Sequence, residues 1–260
     1  MAQQPAGPLL EIKAVTRMFG GLMALDEVSF QVPQGAICGL IGPNGAGKTT
    51  LINVISGLVP VTKGDILLDG QLISGLPPHR IAQQGIGRTF QNIRLFSELS
   101  VLENVMMGHH LKQRGTLIET LLRLPRSRKD ERLSSEESLK LLRRLNMEHL
   151  AHVPAKALSY GDQRRVEIAR ALAVEPRLLL LDEPAAGMNS TETAQLTDFL
   201  LELSKTSLTL LVIEHDMDLI MRISDLVVVL NFGVKIADGP PGSVRDDPLV
   251  VEAYLGEDED

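Results

Sequence analysis

The sequence predicts an α/β fold with a largely parallel sheet, and three observations carry that expectation. Short β-rich runs such as Leu178 to Leu181 and Leu226 to Leu230 are apolar at consecutive positions, which suits strands buried on both faces. Between such runs lie segments with helical spacing: Leu139, Leu142 and Leu145; Val166, Ala169, Leu172 and Ala173; Leu196, Leu200 and Leu203. A glycine-rich turn, Gly42 to Thr49, joins one run to the start of a helix. Strands alternating with helices form a parallel sheet with covered faces.

In chain order, strands are expected at Leu10 to Val15, Val28 to Val32, Ala36 to Ile41, Asp65 to Leu68, Leu178 to Leu181, Leu208 to Ile213, Leu226 to Leu230 and Gly233 to Ala237. Thr50 to Ile55 and Arg164 to Val174 read as helices. The stretch from about Ser97 to Leu158 shows no strand pattern and is rich in Leu, Arg and Glu, so it reads as an inserted helical subdomain. Within it, Arg123 to Arg132 is dense in charge and contains Pro125. A solvated connection between helices is the reading for such a run, with an anionic lipid contact as the lesser alternative. Ser134 and Glu137 have the spacing of a capping box, a weak mark of a helix start.

The chain has 260 residues, 44% hydrophobic and 23% charged, which is long enough to bury a substantial core as one large domain or two small ones. Its net charge is −7, and four of the negatives are Glu257 to Asp260, an acidic tail. With no basic excess to grip a duplex, the charge balance argues against nucleic acid as the main partner. One cysteine, Cys38, forms no internal disulfide and fits a reducing compartment. Met1 to Pro8 lack a basic start followed by an apolar run, so no secretory signal is expected. The longest apolar runs are too short to span a bilayer. The expected location is the cytoplasm, with docking on a membrane protein left open.

Gly42-Pro43-Asn44-Gly45-Ala46-Gly47-Lys48-Thr49 fits the phosphate-loop pattern, and its context fits as well, with a strand before it and a helix after. Glycines let backbone N–H groups curl around phosphate oxygens without a clashing side chain. The helix N-terminus adds partial positive charge. Lys48 is placed to reach the β- and γ-phosphates of a nucleotide, and Thr49 to put its hydroxyl on Mg²⁺; Thr50 is grouped with the loop as nucleotide-binding. A bland glycine-rich turn containing Lys-Thr is the competing reading, and the flanking strand and helix weigh against it.

Leu178-Leu179-Leu180-Leu181-Asp182-Glu183 is a buried strand with two carboxylates at its C-terminal end, where ligands bind in open α/β sheets. Asp182 would support Mg²⁺, and Glu183 would polarise the attacking water. Alone, such a pair is an ordinary solvated strand end. With the phosphate loop it becomes the second half of a nucleoside triphosphatase site.

Leu158-Ser159-Tyr160-Gly161-Asp162-Gln163 precedes the helix at Arg164, and here the chain resembles the ATP-binding subunits of ABC transporters, whose signature is Leu-Ser-Gly-Gly-Gln. Ser159 and Gly161 match it; Tyr160 and Asp162 depart from it. An acid near a γ-phosphate is unfavourable unless it points away. The resemblance implies that Ser159, Gly161 and the helix start form a second anion cradle. It also implies that His215, in Ile213-Glu214-His215-Asp216, bonds the γ-phosphate, and that Gln91 touches Mg²⁺ or the attacking water. Phe19, in Arg17-Met18-Phe19-Gly20-Gly21, would stack on adenine. Standing alone, His215 would be a strand-closing histidine, Gln91 a surface residue and Phe19 a core residue.

Other candidates fail. His149 and His152 lack a third ligand for zinc, adjacent His109 and His110 cannot converge from one helix face, and Cys38 reads as a small core residue.

The resemblance covers about Leu10 to Gly256. It narrows to the ATPases of branched-chain (hydrophobic) amino acid uptake systems on Met18 to Ala24, Gly87 to Phe96, Asp182 to Asn189, Ile213 to Met217 and the tail from Asp247 to Gly256. It implies a single ATP-binding domain over 9–256, of P-loop NTPase type, with the helical subdomain at about 97–158 and an N-terminal antiparallel β element. It implies ATP and Mg²⁺ as cofactors, with membrane-embedded permease subunits as partners. A second ATP-binding subunit, a paralogue rather than an identical copy, would pair across a two-fold interface that sandwiches two ATPs. A periplasmic solute-binding protein would be an indirect partner, and the chain would sit peripherally on the inner face of the cell membrane. Asn92 to Glu103 is the expected permease contact. The alternatives are an exporter ATPase, which the core motifs leave open, and a soluble ABC-type ATPase outside transport, against which the single phosphate loop, the lack of sustained heptads and the acidic balance weigh.

Overall fold

The computed structural model describes residues 7–109 and 125–255. The acidic tail, His110 and residues 123 and 124 lie outside the described residues. The chain forms two compact units. Of the described residues, one comprises those up to Gln91, Arg177–Gly187 and those from Thr197; the other comprises those within Asn92–Pro176 and Met188–Leu196. The helical unit thus begins before, and ends after, the stretch expected at 97–158. Among the described residues the helices are α1 (Lys48–Ile55), α2 (Pro78–Gln83), α3 (Val101–His109), α4 (Pro125–Arg144), α5 (Tyr160–Leu172), α6 (Ser190–Ser204), α7 (Met217–Ile223), α8 (Pro241–Arg245) and α9 (Pro248–Leu255). No described helix is long and apolar enough to cross a membrane.

The first unit holds two sheets. The smaller is antiparallel, in the order β2 (Leu22–Pro33), β1 (Pro8–Phe19), β4 (Lys63–Leu68), β5 (Gln71–Leu72). Gly20, at φ +57°, turns β1 into β2, so both strands run longer than their apolar runs and Phe19 pairs with Leu22 at the hairpin tip. Along β2, Val28, Phe30 and Val32 are buried while Ser29 and Gln31 are exposed, the alternation of a sheet with one wet face.

The larger sheet runs β10 (Val234–Gly239), β9 (Leu226–Asn231), β3 (Ile37–Ile41), β8 (Thr209–Ile213), β7 (Leu178–Asp182), β6 (Ile86–Arg88). Neighbours are parallel except β10 against β9. Every residue of β3, β7 and β8 is buried, which is why their sequences are apolar without alternation. Gly39 of β3 lets α7 approach, since a Cβ there would meet the Ile220 side chain at 2.7 Å.

In the helical unit, α3, α4 and α5 bury Val101, Val105, Leu142, Val166 and Ala169, and Leu145, just past α4, is buried as well. Gly108 permits close packing of α3 on α5: a Cβ there would lie 2.3 Å from the Arg170 carbonyl oxygen. Two expectations are corrected. From residue 125 the charged run is the beginning of α4 rather than a connection, and Ser134 and Glu137 lie inside that helix, both past its start. The capping box stands at α3 instead: Glu103 accepts from the Ser100 backbone N–H at 2.8 Å, and the Glu103 N–H donates to Ser100 Oγ at 3.2 Å. Buried Asn104 then ties down the segment before α3, accepting from the Phe96 N–H at 2.9 Å and donating to the carbonyls of Phe96 and Ser100, each at 3.0 Å.

Candidate functional site

The phosphate loop leaves the end of β3 in a backbone path that only glycine tolerates. Gly42 sits at φ +146°, and a Cβ there would lie 2.0 Å from the Leu230 carbonyl oxygen. Gly47, at φ +100°, would place a Cβ 2.7 Å from the Ala24 carbonyl oxygen. The loop is braced from outside, with the Gly233 N–H donating to the Ala46 carbonyl at 3.0 Å and the Asp26 N–H to the Gly233 carbonyl at 2.8 Å. Gly42, Pro43 and Ala46 are buried, whereas Asn44, Gly45 and Thr49 are exposed and Thr50 is half-buried. Lys48 is buried; its ammonium donates to the carbonyl oxygens of Gly42 and, at 2.7 Å, Pro43. Helix α1 starts at this lysine with no side-chain cap, so its positive N-terminal end meets the loop directly.

Strand register brings the other residues to the same edge. Leu40 pairs with Ile213 and Ile213 with Asp182, so parallel β3, β8 and β7 end along one line, and β6 ends beside it where Arg88 pairs with Leu180, two residues before Asp182. Asp182 is buried, its carboxylate 3.3 Å from an Arg88 guanidinium nitrogen. Glu183 follows at φ +46°, the left-handed region that a side chain rarely adopts, held by its N–H on the Ile213 carbonyl at 3.0 Å. The Gln91 amide donates to the Glu183 carboxylate at 2.9 Å. Glu214 is buried beneath this edge and accepts from the Ala185 N–H at 2.6 Å and the His215 N–H at 3.2 Å. Burial holds its carboxyl above the usual carboxylate range, against the pull of those two donors. His215 itself projects outward, 68% exposed, with Nδ1 3.6 Å from the Glu214 carboxylate.

Phe19 is exposed at the β1–β2 hairpin rather than in the core, with the Arg17 guanidinium 4.3 Å from its ring centroid.

The signature residues lie in the helical unit. Ser159 caps α5, accepting from the Asp162 N–H at 3.1 Å and donating to the Asp162 carboxylate at 3.0 Å. Arg165 lies 3.3 Å from that carboxylate, so Asp162 is paired within the first turns of the helix. Helix α5 therefore starts at Tyr160, earlier than the expected Arg164. The Gly161 N–H donates to Glu192 at 3.3 Å, and a Cβ at Gly161 would meet Glu192 Cγ at 3.2 Å.

Sequence reasoning passed over Arg88, Glu192 and Glu214. Glu192 left a signal, three residues after Asn189 at the spacing of a capping box, and Arg165 left another, three residues beyond Asp162 on one helix face. Among the described residues, no group of three or more His, Cys, Asp or Glu is placed to hold a metal ion. His149 lies in the short turn Glu148–Leu150, and His109 is buried with Nδ1 3.7 Å from Glu137. Cys38 is buried, and burial drives its thiol far above the ordinary range.

Residues 25–186 match the ABC transporter family, and residues 234–260 match the family described as branched-chain amino acid ATP-binding cassette transporter. The chain is 45% identical to the high-affinity branched-chain amino acid transport ATP-binding protein BraF of Pseudomonas aeruginosa over 96% of this chain and 98% of that protein. It is 43% identical to LivG of Escherichia coli, a protein of the same description, over the same shares. Among solved structures, the ADP conformation of an ATP-binding cassette of an ABC transporter superposes with a TM-score of 0.84, at 34% identity over 96% of this chain and 99% of that one. A nucleotide-free cassette gives 0.83 at 33% identity over 95% and 98%. A phosphate loop, a carboxylate-ended strand and a capped signature helix in one chain that matches these relatives over nearly its full length make it an ATP-binding ATPase of the ABC transporter family, in the group of branched-chain amino acid transport ATP-binding proteins.

Proposed function

We propose that this chain hydrolyses ATP at the C-terminal edge of its parallel sheet and so powers uptake of branched-chain or related hydrophobic amino acids through membrane-embedded permease subunits. The observation that carries the catalytic reading is the convergence on that edge of the Lys48 loop, Asp182, the Gln91–Glu183 hydrogen bond and His215. The solute reading is supported by 45% identity to BraF along nearly the whole chain.

In this reading Gly42 to Thr50 wrap the triphosphate with backbone N–H groups, Lys48 turns from its own carbonyls to phosphate oxygens, and Phe19 stacks on adenine. Glu183 takes the proton from the attacking water, and Gln91 steers its carboxylate. His215, exposed and backed by buried Glu214, holds the γ-phosphate. The donor set fits Mg²⁺, a hard cation that takes oxygen ligands: the Thr49 hydroxyl, the Asp182 carboxylate, directly or through water, and the Gln91 amide oxygen. Bound there, the ion would neutralise charge on the phosphates.

Ser159, Gly161 and the start of α5 close on ATP from a second ATP-binding subunit, a paralogue across a two-fold interface. In this reading the Ser159 hydroxyl turns from Asp162 to the phosphate, and Arg165 keeps the Asp162 carboxylate paired. The chain sits at the cytoplasmic face of the membrane, its segment from Asn92 to Glu103 against the permease, and a periplasmic solute-binding protein acts without touching it.

Uptake of labelled leucine, compared with short amides and urea, in cells lacking the gene tests the solute assignment. Loss of leucine uptake is expected. Intact leucine uptake with loss of amide or urea uptake would contradict it.

A further inference from the structure

Arg88 has no part in the chemistry above, yet its guanidinium joins two elements of the site. It ends β6, three residues before Gln91. One terminal nitrogen lies 3.3 Å from the Asp182 carboxylate at the end of β7. The other donates at 2.6 Å to Ser56 Oγ. Ser56 closes α1, the helix that Lys48 and Thr49 open, and its own hydroxyl donates to the Ile52 carbonyl at 2.8 Å. The Phe90 ring lies 5.1 Å from the guanidinium carbon. The side chains of Arg88 and Asp182 are only 10% and 5% exposed, so water does little to screen them.

A buried carboxylate without a partner is costly and turns toward whatever donor it finds. A guanidinium fixes it, because the fork is planar and its donors diverge at set angles. Here one rigid group spans from the Asp182 carboxylate to the far end of the helix whose near end carries the phosphate loop. We infer that Arg88 is a positioning residue of the ATPase reaction: it holds the Asp182 carboxylate in fixed relation to α1, so that Asp182 and Thr49 address the same cation. This rests on the reading of Asp182 as a Mg²⁺-supporting residue.

The test is a Mg²⁺ titration of ATP affinity, read with a fluorescent ATP analogue in the absence of turnover, beside kcat measured on the assembled transporter. Arg88→Met should leave Mg²⁺-free nucleotide affinity within about twofold of wild type and raise the Mg²⁺ concentration for half-maximal binding by about 10- to 100-fold, the usual effect of removing a group that orients a metal ligand. Its kcat should fall by a similar factor. Arg88→Lys should recover part of the shift. Ser56→Ala removes a single acceptor and should shift the Mg²⁺ dependence about fivefold in the same direction. It decides the matter if Arg88→Met fails to fold.

Asp182→Asn separates the two claims. If Asp182→Asn loses Mg²⁺ dependence while Arg88→Met and Ser56→Ala titrate like wild type, Arg88 is structural filling and the inference is overturned. If Asp182→Asn itself titrates like wild type, the reading of Asp182 fails and the inference falls with it.

Discussion

The Gln91 side-chain amide donates a 2.9 Å hydrogen bond to the Glu183 carboxylate, joining residues 92 positions apart in the chain. Gln91 is also the last residue of the first unit before the chain enters the helical one at Asn92. The carboxylate assigned as base is thereby aimed by the residue that leads into the segment assigned to the permease. Gln91→Ala should leave ATP affinity near wild type and lower kcat about 10- to 100-fold, the range expected for a hydrogen bond to a charged group. Steady-state kinetics beside an equilibrium titration check it. An unchanged kcat would release Gln91 from this role.

Asp162 departs from the family signature, and its carboxylate is taken up by Ser159 and Arg165. Ser159→Ala should destabilise the fold by about 1 kcal/mol through loss of the N-cap. Asp162→Gln should cost about 0.5 to 1 kcal/mol, because an acid in the first turn also complements the helix dipole. Chemical denaturation of both variants checks the two values. ATPase activity of Asp162→Gln should be retained, since the acid is turned toward its own helix.

Lys48 is held by the Gly42 and Pro43 carbonyls, so it is poised over the loop. Lys48→Ala should weaken ATP binding about 10-fold or more, as expected for a charge-assisted hydrogen bond to phosphate. Isothermal titration measures this directly, and binding at wild-type strength would contradict the phosphate assignment.

Glu214 makes stability depend on pH with a defined sign. Burial raises its folded pKa above the ordinary 4.5, so between those two values the folded state holds more protons than the unfolded state. The contribution is fully present below pH about 4.5 and is lost as pH rises through the raised value. Glu214→Gln keeps an acceptor for the Ala185 N–H and removes the titration. Urea unfolding at stepped pH should show wild-type stability declining across that window relative to the variant. Parallel curves would show that Glu214 titrates alike in both states.

Much of this fold is legible in the residues. The cores of β3, β7 and β8 are apolar without a break and each runs straight into a functional sequence, so strand and site announce one another. The short elements are not. Ile86–Arg88 is too brief for any periodicity and becomes a strand only by pairing with Leu178 to Leu180. Arg88 reads as one more basic residue because its acceptors, Ser56 and Asp182, lie 32 and 94 positions away. The helix start at Tyr160 hides behind a signature read for its chemistry, although Ser159 followed by Asp162 is also a cap. Ser134 and Glu137 mislead for the opposite reason: the spacing is right, but α4 has already begun.

Glu183→Gln in the assembled transporter tests the central claim most directly, because the amide keeps the shape of the side chain and removes its basicity. ATP binding should match wild type, and hydrolysis should fall by about 10²- to 10⁴-fold, the contribution of a general base. Hydrolysis at the wild-type rate in that variant would contradict the account.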